Sequence, residues 1–199
     1  MSPYRVGLTG GLAAGKSTVA GWLGEAGFRV IDADRLVAEL YRPGGEGARA
    51  VSELFGAEFL ADDGSVDHPR LAREVFAEPA ARRRLEEAIH PLVKQRFDKL
   101  TRSSDGVAVL EATLLVEAGF TPDFDLVVTV EADPELRLQR AVARGLEPAA
   151  ARRRLEAQSE PALRIGAAPR VLWNNGSLDE LRSEVDELVT ELRGHDGDD

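Results

Sequence analysis

The chain has 199 residues, 43% hydrophobic and 30% charged, which is the composition of a globular protein with length enough for a substantial core. With no cysteine, and with His68, His90 and His195 as its only histidines, a disulfide framework, a thiolate metal site and a zinc centre are all disfavoured. The net charge of −10 is uneven: Asp179 to Asp199 carry a net −7 and Arg137 to Arg170 a net +5, which suits a small anionic ligand gripped locally and not the broad basic face that nucleic acid requires.

Arg5–Thr9 (RVGLT) is expected to form a short buried strand and Ser17–Ala26 a helix, since Val19, Trp22 and Leu23 recur at helical spacing. Between them runs Gly10-x-x-x-x-Gly15-Lys16-Ser17, a complete phosphate-binding loop pattern in the strand-to-helix context it needs. Its glycines let successive N–H groups turn inward around a phosphate, and the following helix aims its positive end at the same place. Lys16 is expected to reach the β- and γ-phosphates of a nucleoside triphosphate, and the Ser17 hydroxyl to bind Mg²⁺. Phe28–Asp32 (FRVID) reads as the next strand, completing a βαβ unit and implying a parallel sheet with ligands at its C-terminal edge.

Two carboxylates close the segment VIDAD, Val30–Asp34. On an extended strand Asp32 and Asp34 would share a face, one near Mg²⁺ and the other at an acceptor hydroxyl that must be oriented and relieved of its proton. The alternative is that one of them caps a helix opening at Arg35. Leu36–Arg42, Glu46–Phe55, Pro69–Ala77 and Pro79–Thr101 then read as helices broken by PGGEG and ADDGS. The last carries the core-facing stripe Leu85, Ala88, Ile89, Leu92, Val93 and Phe97. Together they form a helical insertion over residues 35–104, too long for a plain crossover.

Val107–Leu110, Leu126–Val130 and Val171–Trp173 supply three more buried strands. Glu111 ends the first, where many phosphate-loop enzymes carry a carboxylate that holds Mg²⁺ through water. Glu117, in Leu114–Glu117 (LLVE), is a weaker candidate that a solvated helix position would explain as well. After Asp133-Pro134, Arg137, Arg140 and Arg144 share one helical face, and a second Arg-rich helix follows Pro148. Arginines on a closing flap would neutralise charge on a transferring phosphoryl group, although solvated surface arginines show the same spacing. Trp173–Gly176 (WNNG) lies at a strand end where an amide or the backbone could meet adenine. Ser177 and Glu180 fit a capping box opening a final helix to about Arg193, and residues 194–199 are expected to fray.

In order and spacing these motifs resemble the dephospho-CoA kinase family: GLTGGLAAGKST, VIDAD, His90-Pro91, Ala112–Glu117 (ATLLVE) and NNG, over nearly the whole chain. Thr113 stands where that family usually has proline. The resemblance implies an α/β fold, a phosphate-loop NTPase-type parallel sheet flanked by helices, with residues 35–104 as an acceptor-binding insertion and residues 137–160 as an Arg-rich lid. It implies ATP-dependent phosphorylation of the ribose 3′-hydroxyl of dephospho-CoA, giving CoA and ADP, with Mg²⁺ held by Ser17 and, through water, Asp32 and Glu111. Asp34, Lys16 and Arg140 become the catalytic residues. Leu12, Ala13, Ala14, Gly15, Lys16, Ser17, Thr18, Arg140 and Asn175 become the nucleotide contacts, and Thr9, Asp34, His90, Leu114 and Glu117 the acceptor contacts. For His90 the simpler reading is that it steadies a kink at Pro91.

Two other readings stand beside this one. A related kinase could act on a nucleoside monophosphate or a sugar, and a nucleotide-dependent switch could bind without turnover. The absence of an NKxD motif disfavours a guanine-specific switch, and the absence of a His-Arg-Asp loop disfavours a protein kinase of the usual type. With no apolar run near 18 residues and no signal-peptide pattern, a cytoplasmic protein with no membrane or nucleic-acid partner is expected, as a monomer or weak homo-oligomer.

Overall fold

The structure, a computed structural model, describes residues 3–102, 106–158 and 161–195. The expectations for the tail beyond His195, for residues 103–104 of the insertion and for residues 159–160 of the lid lie outside these. Two compact units emerge, one formed by residues 1–31 with 102–199 and the other by residues 32–101.

The first unit is built on a five-stranded sheet of β1 (Tyr4–Gly10), β2 (Arg29–Asp32), β3 (Val107–Glu111), β4 (Leu126–Glu131) and β5 (Arg170–Trp173). Their spatial order is β2-β3-β1-β4-β5. β1 pairs in parallel with β3 (Tyr4 opposite Val107) and with β4 (Val6 opposite Leu126), and β4 pairs in parallel with β5. Every residue of β3 and β4 is buried, as expected of strands covered on both faces by helices. On one face Val6, Leu8, Val128 and Val130 pack with Val19 and Leu23 of α1 (Lys16–Glu25) and with Leu181, Val185, Leu188 and Leu192 of the C-terminal helix (Leu178–Arg193). Ser177 opens that helix in the expected capping box with Glu180. A second cluster joins Leu115, Val127 and Ala168 to Phe120 and Phe124.

The second unit holds α2 (Ala33–Leu40), α3 (Glu46–Phe55), α4 (His68–Ala77) and α5 (Pro79–Thr101). α5 packs against the other three through Ala81, Ile89, Val93 and Phe97, and it continues through Pro91 as one helix. Between α3 and α4 the ADDGS segment folds into a tight turn closed by Ala61 N–H to Ser65 C=O, 2.8 Å, with a bridge between Leu60 and Val66. Completing the chain are α6 (Pro134–Ala143), α7 (Pro148–Glu156) and α8 (Pro161–Ala167), the last without a sequence signal that predicted it, and α9, the Leu178–Arg193 helix.

One expectation at VIDAD is corrected. The strand stops at Asp32, so Asp32 and Asp34 do not share the face of an extended segment. The Asp32 carboxylate accepts from the N–H groups of Asp34 (2.8 Å) and Arg35 (3.4 Å), which starts α2 at Ala33 and puts Asp34 in its first turn. The capping alternative therefore describes Asp32.

Candidate active site

β1 ends at Gly10 and α1 begins at Lys16, so the loop between them delivers its chain directly to a helix N-terminus. There the first N–H groups have no intrahelical acceptor and the helix dipole favours an anion. Ala13 sits at φ 58°, the one non-glycine residue with positive φ among those described, and Gly15 caps α1 at φ 115°. Gly15 has a second reason to lack a side chain: a Cβ there would lie 2.3 Å from Asn174 Nδ2. That amide donates to the Ala14 carbonyl at 2.7 Å, fastening the loop to the segment after β5.

Lys16 and Ser17 converge on one carboxylate oxygen. Lys16 Nζ lies 2.6 Å from Glu111 Oε1, and Ser17 Oγ donates to the same atom at 2.9 Å. Glu111 is 8% exposed at the end of β3, which the β1–β3 register places beside Leu8. A hydroxyl and a carboxylate oxygen are hard donors that suit Mg²⁺, an ion that takes its remaining ligands from waters and substrate phosphates. Among the described residues no group of three or more His, Asp or Glu is placed to hold a metal ion by itself.

The three arginines of α6 serve different ends. Arg137 is 4% exposed and turned inward, and burial first, then the neighbouring Arg164, lower its pKa against the pull of Glu131. Its Nε donates to Leu12 C=O at 3.0 Å. Arg140 donates through Nη1 to Asn174 C=O (2.9 Å) and through Nη2 to Asn174 Oδ1 (3.3 Å). Arg144 is exposed at the C-terminus of α6. The three arginines thus differ in burial and in hydrogen-bond partners.

Residues 4–180 match the family described as dephospho-CoA kinase. A dephospho-CoA kinase of Streptomyces avermitilis is 42% identical over 94% of this chain and 93% of its own. Among solved structures, TT1252 of Thermus thermophilus is 32% identical at a TM-score of 0.82, covering 96% of this chain and 99% of that one. The dephospho-CoA kinase of Campylobacter jejuni, 24% identical at a TM-score of 0.67 and covering 96% and 98%, shares the fold. The chain belongs to the dephospho-CoA kinase family.

Of the acceptor contacts that the dephospho-CoA kinase resemblance implied, three fall in the first unit. Thr9 is fully buried and its hydroxyl donates to the carbonyl of Thr113 at 3.3 Å, tying the end of β1 to the position where the family usually has proline. Leu114 is exposed, and Glu117 lies 3.8 Å from Arg164 Nη1. In the second unit Asp34 is exposed in the first turn of α2, and His90 is half-buried on α5 immediately before Pro91.

Several contacts around the loop and the strand ends escaped the sequence. Asn174, and not Asn175, is the buried amide that touches the loop. Asn175 instead accepts from Asp133 N–H at 2.8 Å and donates to its carboxylate at 3.2 Å. Arg164, 1% exposed, meets Glu131 through Nε–Oε1 (2.7 Å) and Nη2–Oε2 (3.0 Å), with the Thr129 hydroxyl donating to the same carboxylate. A signal existed: Glu131 ends an apolar strand as Glu111 does. Gln158 carried none, being a lone amide after an arginine run.

Proposed function

We infer that the chain transfers the γ-phosphoryl group of ATP to the ribose 3′-hydroxyl of dephospho-CoA, giving CoA and ADP in the final step of coenzyme A biosynthesis. The observation that carries this reading is the convergence of Lys16 and Ser17 on Glu111 at a helix N-terminus, in a chain that matches the family along nearly its whole length. The acceptor hydroxyl oxygen attacks the γ-phosphorus, the bond from that phosphorus to the β–γ bridging oxygen breaks, and the hydroxyl proton passes to Asp34. Lys16 moves from its carboxylate partner to the β- and γ-oxygens, and Arg140 neutralises charge on the transferring group. Ser17 and, through water, Glu111 and Asp32 would hold Mg²⁺, which when bound would supply further neutralisation of charge on the phosphate oxygens. Leu12, Ala13, Ala14, Gly15 and Thr18 complete the phosphate cradle, Asn175 meets the nucleotide, and Thr9, His90, Leu114 and Glu117 meet the acceptor.

In this reading residues 35–104 are the insertion that contributes His90 to the acceptor contacts, and residues 137–160 act as the lid that excludes water while the phosphate moves. Among the described residues no helix is long and apolar enough to cross a membrane. That agrees with a cytoplasmic enzyme, a monomer or weak homo-oligomer whose partners are its two small-molecule substrates.

ADP release from Mg·ATP with dephospho-CoA, AMP, CMP, gluconate or no acceptor tests the assignment. Rapid turnover is expected with dephospho-CoA alone. Turnover with AMP or CMP and silence with dephospho-CoA would give the acceptor role to another substrate class.

A further inference from the structure

Besides the Asn174 bond at Ala14, the phosphate loop is held from outside at Leu12, through both of its backbone groups. Its N–H donates to Gln158 Oε1 at 2.8 Å and its carbonyl accepts from Arg137 Nε at 3.0 Å. Arg137 Nη2 closes the circuit by donating to the same Gln158 oxygen at 2.7 Å. Room for the guanidinium comes from Gly11, where a Cβ would lie 2.2 Å from Arg137 Nη2. The side chains of Leu12 and Ala13 pack beside this circuit with Leu138 and Ala141 of α6 and Ala151 of α7. Both backbone groups of Leu12, and the side chains of Leu12 and Ala13, are therefore occupied by the 137–158 segment.

We propose that Gln158 is a positioning residue for nucleotide binding: with Arg137 it fixes the peptide groups of Leu12, and so the aim of the N–H groups that follow from Ala13 to Ser17. The chemistry favours an amide at this position. One carbonyl oxygen can accept from a backbone N–H and a guanidinium together without adding negative charge beside a site meant for phosphates. With both peptide groups of Leu12 bonded, the loop is held in one conformation before ATP arrives. The hydrogen bond to a charged partner is the stronger class, and its loss leaves both Leu12 N–H and Arg137 seeking other acceptors in a half-buried place.

The proposal rests on the reading of residues 10–17 as an ATP site, and calorimetric titration of Mg·ATP without acceptor separates the two. Gln158→Met, similar in shape but without the carbonyl, should weaken ATP binding about tenfold, as expected for losing a charge-assisted hydrogen bond. The KM for ATP should rise in step, while kcat at saturating ATP and the KM for dephospho-CoA stay within about threefold. Gln158→Ser should behave alike if Gln158→Met proves too unstable to purify. In an Arg137→Met background Gln158→Met should add little, because its oxygen has already lost the partner that orients it. An ATP affinity unchanged in both Gln158 variants, equal losses for ATP and dephospho-CoA, or full additivity with Arg137→Met would each overturn the positioning role. A parent protein that binds no ATP would overturn the reading of the loop as well.

Discussion

A single oxygen of Glu111 receives both the Lys16 ammonium and the Ser17 hydroxyl. That arrangement keeps a lysine only 14% exposed at its side chain from standing uncompensated before the substrate arrives. The acid–base role proposed for Asp34 is separate from this contact. Asp34 lies in the first turn of α2 with its own N–H bonded to Asp32, so removal of its charge need not disturb the cap that starts the helix. Asp34→Asn is isosteric and should lower kcat by about 10²- to 10⁴-fold, the usual worth of a positioned general base. Its ATP affinity should remain within about threefold of the parent by titration. A variant with undiminished kcat would remove Asp34 from the proton path.

At the scale of elements, α5 carries a proline in its interior and a histidine just before it. Burial holds the His90 pKa below its ordinary 6.5, and the opposing pull of Glu86, one turn earlier, is the smaller effect. A depressed histidine pKa means that the unfolded chain binds the proton more readily. The associated stability is therefore present above about pH 6.5 and drains away as the pH falls through the folded-state value. His90→Gln should lose less stability than the parent between pH 7 and pH 5, read as urea midpoints at both values, whereas parallel losses would show that burial of the imidazole contributes nothing to acid sensitivity. α5 was also among the elements best foretold by the sequence, its span set by Pro79 at one end and a long apolar stripe within. The five strands were legible for a similar reason, since runs such as LVVTVE leave a buried parallel strand as the natural reading. The loop and its Lys16, Ser17 and Glu111 were legible because that chemistry needs fixed spacing. Illegible were contacts that depend on which side chains tertiary packing brings together: Gln158 reaching Leu12 across the sequence, Asn174 bonded to Ala14, and Arg164 locked to Glu131. The α2 boundary was missed because Asp32 was weighed as a site residue before its capping of Asp34 and Arg35 was visible.

For the whole molecule, the first unit is discontinuous: its central strand β1 lies between β3 and β4, which come about a hundred residues later, so the sheet closes only when the ends of a long excursion meet. The phosphate loop belongs wholly to that unit, since residues 10–17 and their partners Glu111, Arg137, Gln158 and Asn174 all lie within it. A ligand that engages the loop therefore adds its binding free energy to the stability of the sheet. ATP with Mg²⁺ at about 100 times its Kd should contribute about 2.7 kcal/mol to the native state. For a chain of this size that corresponds to a rise in Tm of about 5–10 °C, at about 2–4 °C per kcal/mol. Scanning calorimetry separates the binding role from the chemical one. Asp34→Asn should keep the whole shift, because the role proposed for its carboxylate is on the acceptor. Lys16→Ala should abolish turnover and lose most of the shift, because its ammonium is the charge proposed to replace water around the β- and γ-phosphates. Should the two units melt in separate transitions, the one that ATP moves must be the transition that Lys16→Ala renders insensitive; a full shift surviving in Lys16→Ala would place ATP somewhere other than the loop.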